Sequence, residues 1–343
     1  IQDAVTKDGQ LLALPLEAYT GGSIMSYNPA ALEALGLTED DLPTTWKGLF
    51  EFLQELPELA GDTGVTAFDS YMTQQDARYT LFYSLLNTYM LYIKKADGVE
   101  MAFDTPIMNE ALTEFEKIDF AALGLPEDYE DDTYAYSSDT RAKVLFQTYA
   151  DISISTYDDE YAVPLLLSLE DGADPMIEVY LTVAFVNPYS ENRDLAIEYL
   201  EDAAAELDES FLTSVCPDRN DPIPNPSYDE SLAYYQEQIA SIQAELDGAA
   251  DDEKAAWQEQ LDDWQSYLQE FMDYGAWTAS AESIAKYRGY ADKFQIYEYF
   301  GLDDSSSGEF YDQIGQYLDG TIDISTMLKG IDKKLRMMLM EGM

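Results

Sequence analysis

The chain has 343 residues, of which 68 are acidic and 18 basic, and its formal net charge is −50. This length is enough for two domains, each with its own core, and the charge excludes a nucleic-acid groove or a patch for anionic membranes. Because the chain has no histidine and one cysteine, Cys216, an internal disulfide, the usual zinc, copper and haem sites, and Ser-His-Asp or Cys-His catalytic groups are excluded as well. We therefore predict no metal and no cofactor, and any enzyme of this sequence would have to use carboxylates.

The first elements are short strands followed by a capped helix. Residues 11–14 form an apolar run that we expect to be a short buried strand ended by Pro15, and residues 24–27 predict a second strand. Asn28-Pro29 then predicts the start of a helix that ends at Gly36. Strands that alternate with helices in this way are typical of an α/β class.

The clearest helix follows Thr45, whose hydroxyl is a suitable N-cap. Its apolar residues recur at helical spacing and predict one buried face; they are Leu49, Phe50, Leu53 and Leu56. Beyond this helix, residues 65–68 predict a strand, residues 79–93 a buried aromatic-rich helix, and residues 106–118 another helix.

The second half begins with β-rich segments and ends in helices. Segments 152–156, 161–167 and 178–186 are rich in β-branched and aromatic residues and predict strands, and a helix is expected over 191–207. The proline-rich stretch 216–228 predicts a linker. Two apolar stripes then predict a helical hairpin over 228–274, and a last helix follows with Ser325 as its cap.

Aromatic residues suggest a carbohydrate ligand. The chain has 27 tyrosines and four tryptophans, and an aromatic ring stacks well on the C–H face of a sugar while its polar tip stays hydrated. Trp46, Trp257 and Trp264 lie on predicted helical stripes, so we assign them to packing. Ligand contacts are commoner at segment ends and in loops, and the binding residues predicted on this basis, with two carboxylates as acceptors, are Tyr19, Asp69, Tyr71, Glu178, Tyr180 and Trp277.

Four motifs in a fixed order resemble a known family. They are the run at 8–15 leading to Tyr27-Asn28, the "LGL … PTTW" passage at 35–46, the strand and helix at 181–200, and Tyr317-Leu318-Asp319-Gly320 before the last helix. In this order they resemble the carbohydrate-type extracellular solute-binding proteins of ABC transporters, which include the maltose-binding proteins.

The resemblance implies a periplasmic-binding-protein-like fold of type II. It implies a C-terminal α/β lobe at 16–183 and 300–343, and the remainder of an N-terminal lobe at 1–15 and 184–299. The helical hairpin 228–274 is an insertion relative to the maltose-binding type. Family members carry an α/β segment before the first motif, so we expect this segment to lie upstream of Ile1.

The function implied by the resemblance is capture of an oligosaccharide for an ABC permease, without catalysis. The expected protein is a monomer outside the cytoplasm, held at the cell surface by a lipid anchor upstream of Ile1. Two alternatives remain open from the residues alone: a glycoside hydrolase with a pair of carboxylates, and an adaptor protein that uses the helical hairpin to bind a partner.

Overall fold

The computed structural model describes residues 5–7, 10–21, 24–69, 71–95, 102–128, 141–150, 152–156, 161–250, 253–296 and 308–340. The chain divides into two compact units. The larger unit contains Tyr19–Ile152, Asp159–Leu181 and Lys293–Met343, and the smaller unit contains Ile1–Ala18, Ser153–Asp158 and Thr182–Asp292. Among the described residues, no helix has the length and apolar character needed to cross a bilayer.

The described strands form two three-stranded sheets and two short pairs. The strands of the two sheets, together with the short pair that precedes them in the chain, are β1 Thr6–Lys7, β2 Gln10–Leu11, β3 Leu14–Thr20, β4 Met25–Tyr27, β5 Phe146–Gln147, β6 Val163–Leu165, β7 Ile177–Ala184 and β10 Phe294–Ile296. The first sheet has the order β10-β7-β3, with β10 parallel to β7, and the second has the order β5-β4-β6, with both pairs antiparallel. Strands β3 and β7 each begin in one unit and end in the other.

Several helices of the larger unit begin at side-chain caps. The helices of this unit are α1 Pro29–Ala34, α2 Trp46–Ala60, α3 Gln74–Lys95, α4 Pro106–Phe115, α10 Gly308–Leu318 and α11 Ile324–Met340. The helix start predicted at Asn28-Pro29 and the predicted cap Thr45 are confirmed: the Asn28 side chain accepts the N–H groups of Ala30 and Ala31, and the Thr45 hydroxyl accepts that of Gly48. Each cap satisfies N–H groups that have no partner within the first helical turn.

One extensive core fills the larger unit. Leu49 and Phe50 of α2, Leu81 and Phe82 of α3 and Phe115 of α4 are all fully buried in it. The indole N–H of Trp46 donates to the Thr88 hydroxyl over 3.0 Å, so the buried polar tip of this tryptophan has a partner. The predicted packing roles of Trp46 and of the α2 face are therefore confirmed.

The smaller unit is mainly helical. Its elements from residue 182 onward are α5 Arg193–Ala205, α6 Glu209–Val215, β8 Ile223–Pro224, α7 Tyr228–Gly248, α8 Lys254–Tyr274, β9 Trp277–Ala279 and α9 Ala281–Arg288. Helices α7 and α8 form the predicted hairpin. Outside the hairpin, the described residues of this unit include a small buried cluster of Ile154, Ile223, Ala279 and Ile284.

Helix α5 has no buried residue. Its apolar side chains Leu195, Ile197 and Tyr199 are exposed, and so is Phe185 just after β7. Apolar residues at these positions normally cover a core, so within the described part of the chain this helix presents an uncovered apolar surface.

Several predicted strands are shorter than expected or absent. The buried strand at 11–14 is wrong: Leu11 and Leu12 are 64% and 56% exposed, and Pro15 lies inside β3 instead of ending it. A proline lacks an N–H group but is tolerated on an edge strand, which is the place of β3 in its sheet order.

Segments 65–68 and 152–156 do not form strands. Thr66 makes one isolated parallel bridge with Val144. Ile152 belongs to the larger unit whereas Ile154 packs in the core of the smaller one, so that segment passes between the units. The expected strand at 161–167 is reduced to β6, and the proline-rich linker contains β8, which pairs with β9.

The last helix begins at Ile324, one residue before its predicted cap Ser325. Ser325 lies inside α11, and the carboxylate of Asp323 accepts the Thr326 N–H over 2.7 Å. An aspartate at this position satisfies the same N–H groups as a serine and adds a favourable charge at the positive end of the helix.

Candidate functional site

Two adjacent strands bring three of the predicted binding residues together. Tyr19 on β3 and Tyr180 on β7 stack with their ring centroids 5.4 Å apart and their planes 17° from parallel. The Tyr180 hydroxyl donates a 3.0 Å hydrogen bond to Glu178, whose side chain is on the same strand and is buried. Tyr19 is 56% exposed, so part of its ring surface is open to a ligand.

Gly21 makes this cluster possible. Its backbone N–H donates to the Glu178 carbonyl over 2.8 Å. A Cβ atom at this position would lie 2.2 Å from the Glu178 carboxylate and 2.8 Å from the Tyr180 ring. These distances are below any normal contact, so a larger residue at this position would displace the Glu178 and Tyr180 side chains.

A cavity of about 400 Å³ in the larger unit contains two more of the predicted residues. The chain after residue 67 and the segment around β5 form its walls. Its lining combines aromatic, charged and polar side chains, among them Asp69, Tyr71, Asp76, Arg141, Gln147 and Tyr149. Its volume is within the range of small-molecule sites, and aromatic walls with a few polar groups are typical of such sites.

Hydrogen bonds from neighbouring strands hold the wall around β5 in place. The Ser26 hydroxyl on β4 donates to the Tyr149 carbonyl over 2.8 Å, and the Gln147 amide donates to the Tyr161 carbonyl over 3.1 Å. The Arg141 guanidinium lies 5.3 Å from the centroid of the Tyr161 ring, a distance at which a cation is attracted to the ring face. These contacts orient the cavity before any ligand arrives.

The two carboxylates of the cavity also have structural roles. One Asp76 oxygen accepts both the backbone N–H and the hydroxyl of Thr73, at 3.0 and 2.7 Å, at the start of α3. One Asp69 oxygen accepts the Tyr71 N–H over 3.1 Å. Both carboxylates therefore help to fix the backbone that forms this wall of the cavity.

Strand β4 borders both sites. Met25 and Glu178 line a second, much smaller cavity of about 20 Å³ together with Trp46 and Thr88. Ser26, the next residue of β4, supports the wall of the larger cavity through Tyr149. The central strand of the β5-β4-β6 sheet therefore contributes to the surroundings of both groups of predicted residues.

The six predicted residues thus occupy three places. Tyr19, Glu178 and Tyr180 form one cluster, and Asp69 and Tyr71 line the 400 Å³ cavity. Trp277 lies on β9 of the smaller unit and is 42% exposed.

Sequence reasoning missed Arg141, Gln147 and Tyr149 in the cavity. Tyr149 is 57% exposed and follows β5, so the rule that favoured Tyr19 and Tyr71 could have found it. Because strand β5 was not predicted from the sequence, Tyr149 was not recognised as a residue at the end of a strand. Nothing in the sequence around Arg141 marks it as a cavity residue.

Comparisons with family models and with curated proteins find no match for the chain. Among solved structures, it is similar to the cyclic alpha-maltosyl-1,6-maltose binding protein from Arthrobacter globiformis, with a TM-score of 0.50 and 15% identity over 100% of this chain and 76% of that chain. A weaker likeness, with a TM-score of 0.48 and 12% identity, is to an ABC substrate-binding protein from Listeria monocytogenes in complex with cycloalternan, over 98% of this chain and 74% of that one. Another, with a TM-score of 0.37 and 12% identity, is to an ABC transporter solute-binding protein from Agrobacterium radiobacter in complex with ribitol, over 97% and 72%.

The likeness to the Arthrobacter protein extends over the whole chain. The chain has the α/β, periplasmic-binding-protein-like fold of the solute-binding proteins of ABC transporters. The resemblance that the sequence motifs indicated is therefore confirmed at the level of the fold.

Proposed function

We propose that this protein is a non-catalytic binding protein that captures an oligosaccharide outside the cytoplasm and delivers it to an ABC importer. The observation that carries the proposal is the 400 Å³ cavity, in which aromatic side chains stand beside carboxylates and a guanidinium. Sugars need this combination, because their C–H faces stack on rings while their hydroxyl groups need both donors and acceptors.

The fold supports a ligand of this class. The similar Arthrobacter structure is named as a binding protein for a cyclic maltosyl-maltose. A glucose-containing oligosaccharide is accordingly the first ligand to test here. The open part of the Tyr19 ring and the exposed Trp277 are further candidate stacking surfaces.

The two units are proposed to be the two lobes of the binding protein. Strands β3 and β7 both continue across the boundary between the units, as expected of segments that connect two lobes. Closure would then be a population shift, driven by the higher affinity of the closed form for the ligand. A lipid anchor upstream of Ile1, a permease partner and a monomeric state complete the proposal.

Isothermal titration calorimetry with maltotetraose and with a cyclic glucose tetrasaccharide tests the proposal. We expect binding, and we expect Asp69→Asn combined with Tyr71→Ala to weaken it about tenfold to a hundredfold, because one or two hydrogen bonds and a stacking surface are lost. Tyr189→Ala is the matched control, since Tyr189 is 92% exposed and belongs to the smaller unit.

Chromatography of the same mixtures separates this proposal from the glycoside hydrolase alternative. Unchanged sugars after long incubation agree with a binding protein. Shorter sugars, whose appearance stops when Asp69 or Asp76 is replaced by the amide, would show that the cavity is catalytic and would overturn the proposal.

A further inference from the structure

The helical hairpin carries an aromatic surface that its own packing covers only in part. The hairpin buries Ile242 and Leu261. Tyr234 and Tyr267 are instead 53% and 52% exposed. They are therefore available for contacts outside the hairpin.

The two exposed tyrosines belong to one continuous group of rings. The Trp264 ring lies 6.0 Å from Tyr234 and 6.0 Å from Tyr235, and 6.3 Å from Tyr267, all measured between centroids. The interplanar angles of these three pairs are between 60° and 79°. Tyr234, Trp264 and Tyr267, which we call the hairpin aromatic patch, thus extend across both helices.

Carboxylates surround the patch. Each exposed tyrosine has one acidic residue four positions before it and one three positions after it, and these spacings put all three side chains on one face of a helix. The carboxylates are Glu230 and Glu237 around Tyr234, and Asp263 and Glu270 around Tyr267. All four are exposed.

The whole hairpin is negatively charged, like the surroundings of the patch. Between Tyr228 and Tyr274 the sequence has 13 acidic residues and one basic residue, Lys254. A second copy of this chain would be repelled by such a surface, and an anionic membrane or nucleic acid would be repelled as well. Charge complementarity therefore favours an occupant that carries positive charge.

We propose that the hairpin aromatic patch docks an arginine-rich segment of a partner protein. A guanidinium stacks flat on an aromatic ring and forms paired hydrogen bonds with a carboxylate, so it matches both kinds of side chain in the patch. The ammonium group of lysine is a compact charge, so it makes neither the flat stacking contact nor the paired hydrogen bonds. We therefore expect the basic residues of the partner segment to be arginines and not lysines.

Fluorescence anisotropy with a labelled synthetic peptide tests the proposal. The probe has six arginines separated by Gly-Ser spacers, and the comparison peptide has lysine at the same six positions. In 150 mM salt we expect the arginine peptide to bind the full chain several-fold more tightly than the lysine peptide, and Tyr234→Ala with Tyr267→Ala to weaken arginine-peptide binding about tenfold.

Matched variants separate specific docking from attraction to an acidic protein. Tyr234→Phe with Tyr267→Phe keeps the rings and should bind within about twofold of the unchanged protein. Replacing the four carboxylates around the patch by amides should weaken binding more than the same replacement at Glu191, Asp194, Glu198 and Glu201, four exposed acids of the same unit.

Equal binding of the two peptides would overturn the proposal. Equal binding by the alanine pair and the unchanged protein, or equal effects of the two sets of amides, would also overturn it. Circular dichroism confirms that each variant keeps its helices. Because the sugar site belongs to the proposed function and the patch does not, glycan binding measured on the same variants should be unchanged.

Discussion

Gly21 illustrates how one missing side chain shapes a site. The Glu178 carboxylate and the Tyr180 ring occupy the space that a Cβ atom at residue 21 would need. We expect Gly21→Ala to lower the free energy of unfolding by about 1–3 kcal/mol, because it overpacks a buried site, and to weaken glycan binding by displacing Glu178. Denaturant unfolding and calorimetry on the same sample measure both effects.

Gly315→Ala is the matched control for this glycine. Gly315 lies in α10, and a Cβ atom there would meet nothing within 4 Å. This change should stabilise the protein by about 0.5–1 kcal/mol, because alanine favours a helix over glycine. If Gly21→Ala were as harmless as its control, the packing around Glu178 described above would be wrong.

Asp323 is expected to make the stability of the folded protein depend on pH under acidic conditions. Hydrogen bonds from the side chain and the backbone N–H of Thr326 lower the pKa of this carboxyl from 3.8. A lowered folded-state pKa contributes stability above the unfolded value, and this contribution is lost as the pH falls through the folded value. The Asp323 contribution should therefore be complete above pH 4 and should disappear below it.

Thermal unfolding of Asp323→Asn between pH 2 and 7 measures this effect. The variant should melt below the unchanged protein at pH 6, and the difference should shrink as the pH falls below 4. A difference that does not depend on pH would show that the aspartate stabilises α11 without its charge.

Single residues were predictable where a local rule applied. Tyr19 lies near the end of β3 and Tyr71 lies in a loop, and aromatic residues at such positions can be recognised from the sequence, whereas Tyr180 lies inside β7. Arg141 is different, because its place in the cavity depends on the pairing of β5 with β4, two strands more than a hundred residues apart in the chain. No local pattern contains that information.

Helices were predicted better than strands for the same reason. The α2 helix has its cap, its buried face and its ending within one short stretch of sequence. A strand needs a partner from elsewhere, and the apolar run at 11–14 shows the consequence. Leu11 and Leu12 are exposed, although their composition is that of a core strand.

Helix α5 differs from the other helices. Its apolar residues can be recognised in the sequence, but their exposure in the structure cannot. We expect Leu195→Ser together with Tyr199→Ser to change the unfolding free energy by less than about 0.5 kcal/mol each, since neither side chain is buried. The same variant should bind less of a hydrophobic dye. Leu49→Ala, in the core of the larger unit, should cost about 2–5 kcal/mol.

Stability loss at Leu195 and Tyr199 comparable to that at Leu49 would contradict the exposure of α5. It would indicate that another part of the protein covers this helix.

The whole molecule should unfold in two steps. The larger unit has an extensive core, whereas the described residues of the smaller one form a four-residue cluster and the seam of the hairpin. Stability follows buried apolar area, so the smaller unit should melt first.

Arg288 allows the two transitions to be assigned. Its guanidinium donates to the carbonyl groups of Thr213, Ser214, Cys216 and Arg219 at the end of α6, all within the smaller unit. Lysine cannot reproduce this fork of donors, so Arg288→Lys should lower the first transition in differential scanning calorimetry and leave the second unchanged. A single transition that moves as a whole would show that the units unfold together.

The central claim is that this protein binds an oligosaccharide and releases it without chemical change. Its most direct test is equilibrium titration of the protein with a panel of linear and cyclic glucose oligosaccharides, with chromatography of the sugar recovered from each complex. The account predicts saturable binding of at least one member, weakened by Asp69→Asn with Tyr71→Ala, and recovery of the same sugar. Absence of binding across the panel, or recovery of a shorter sugar, would contradict it.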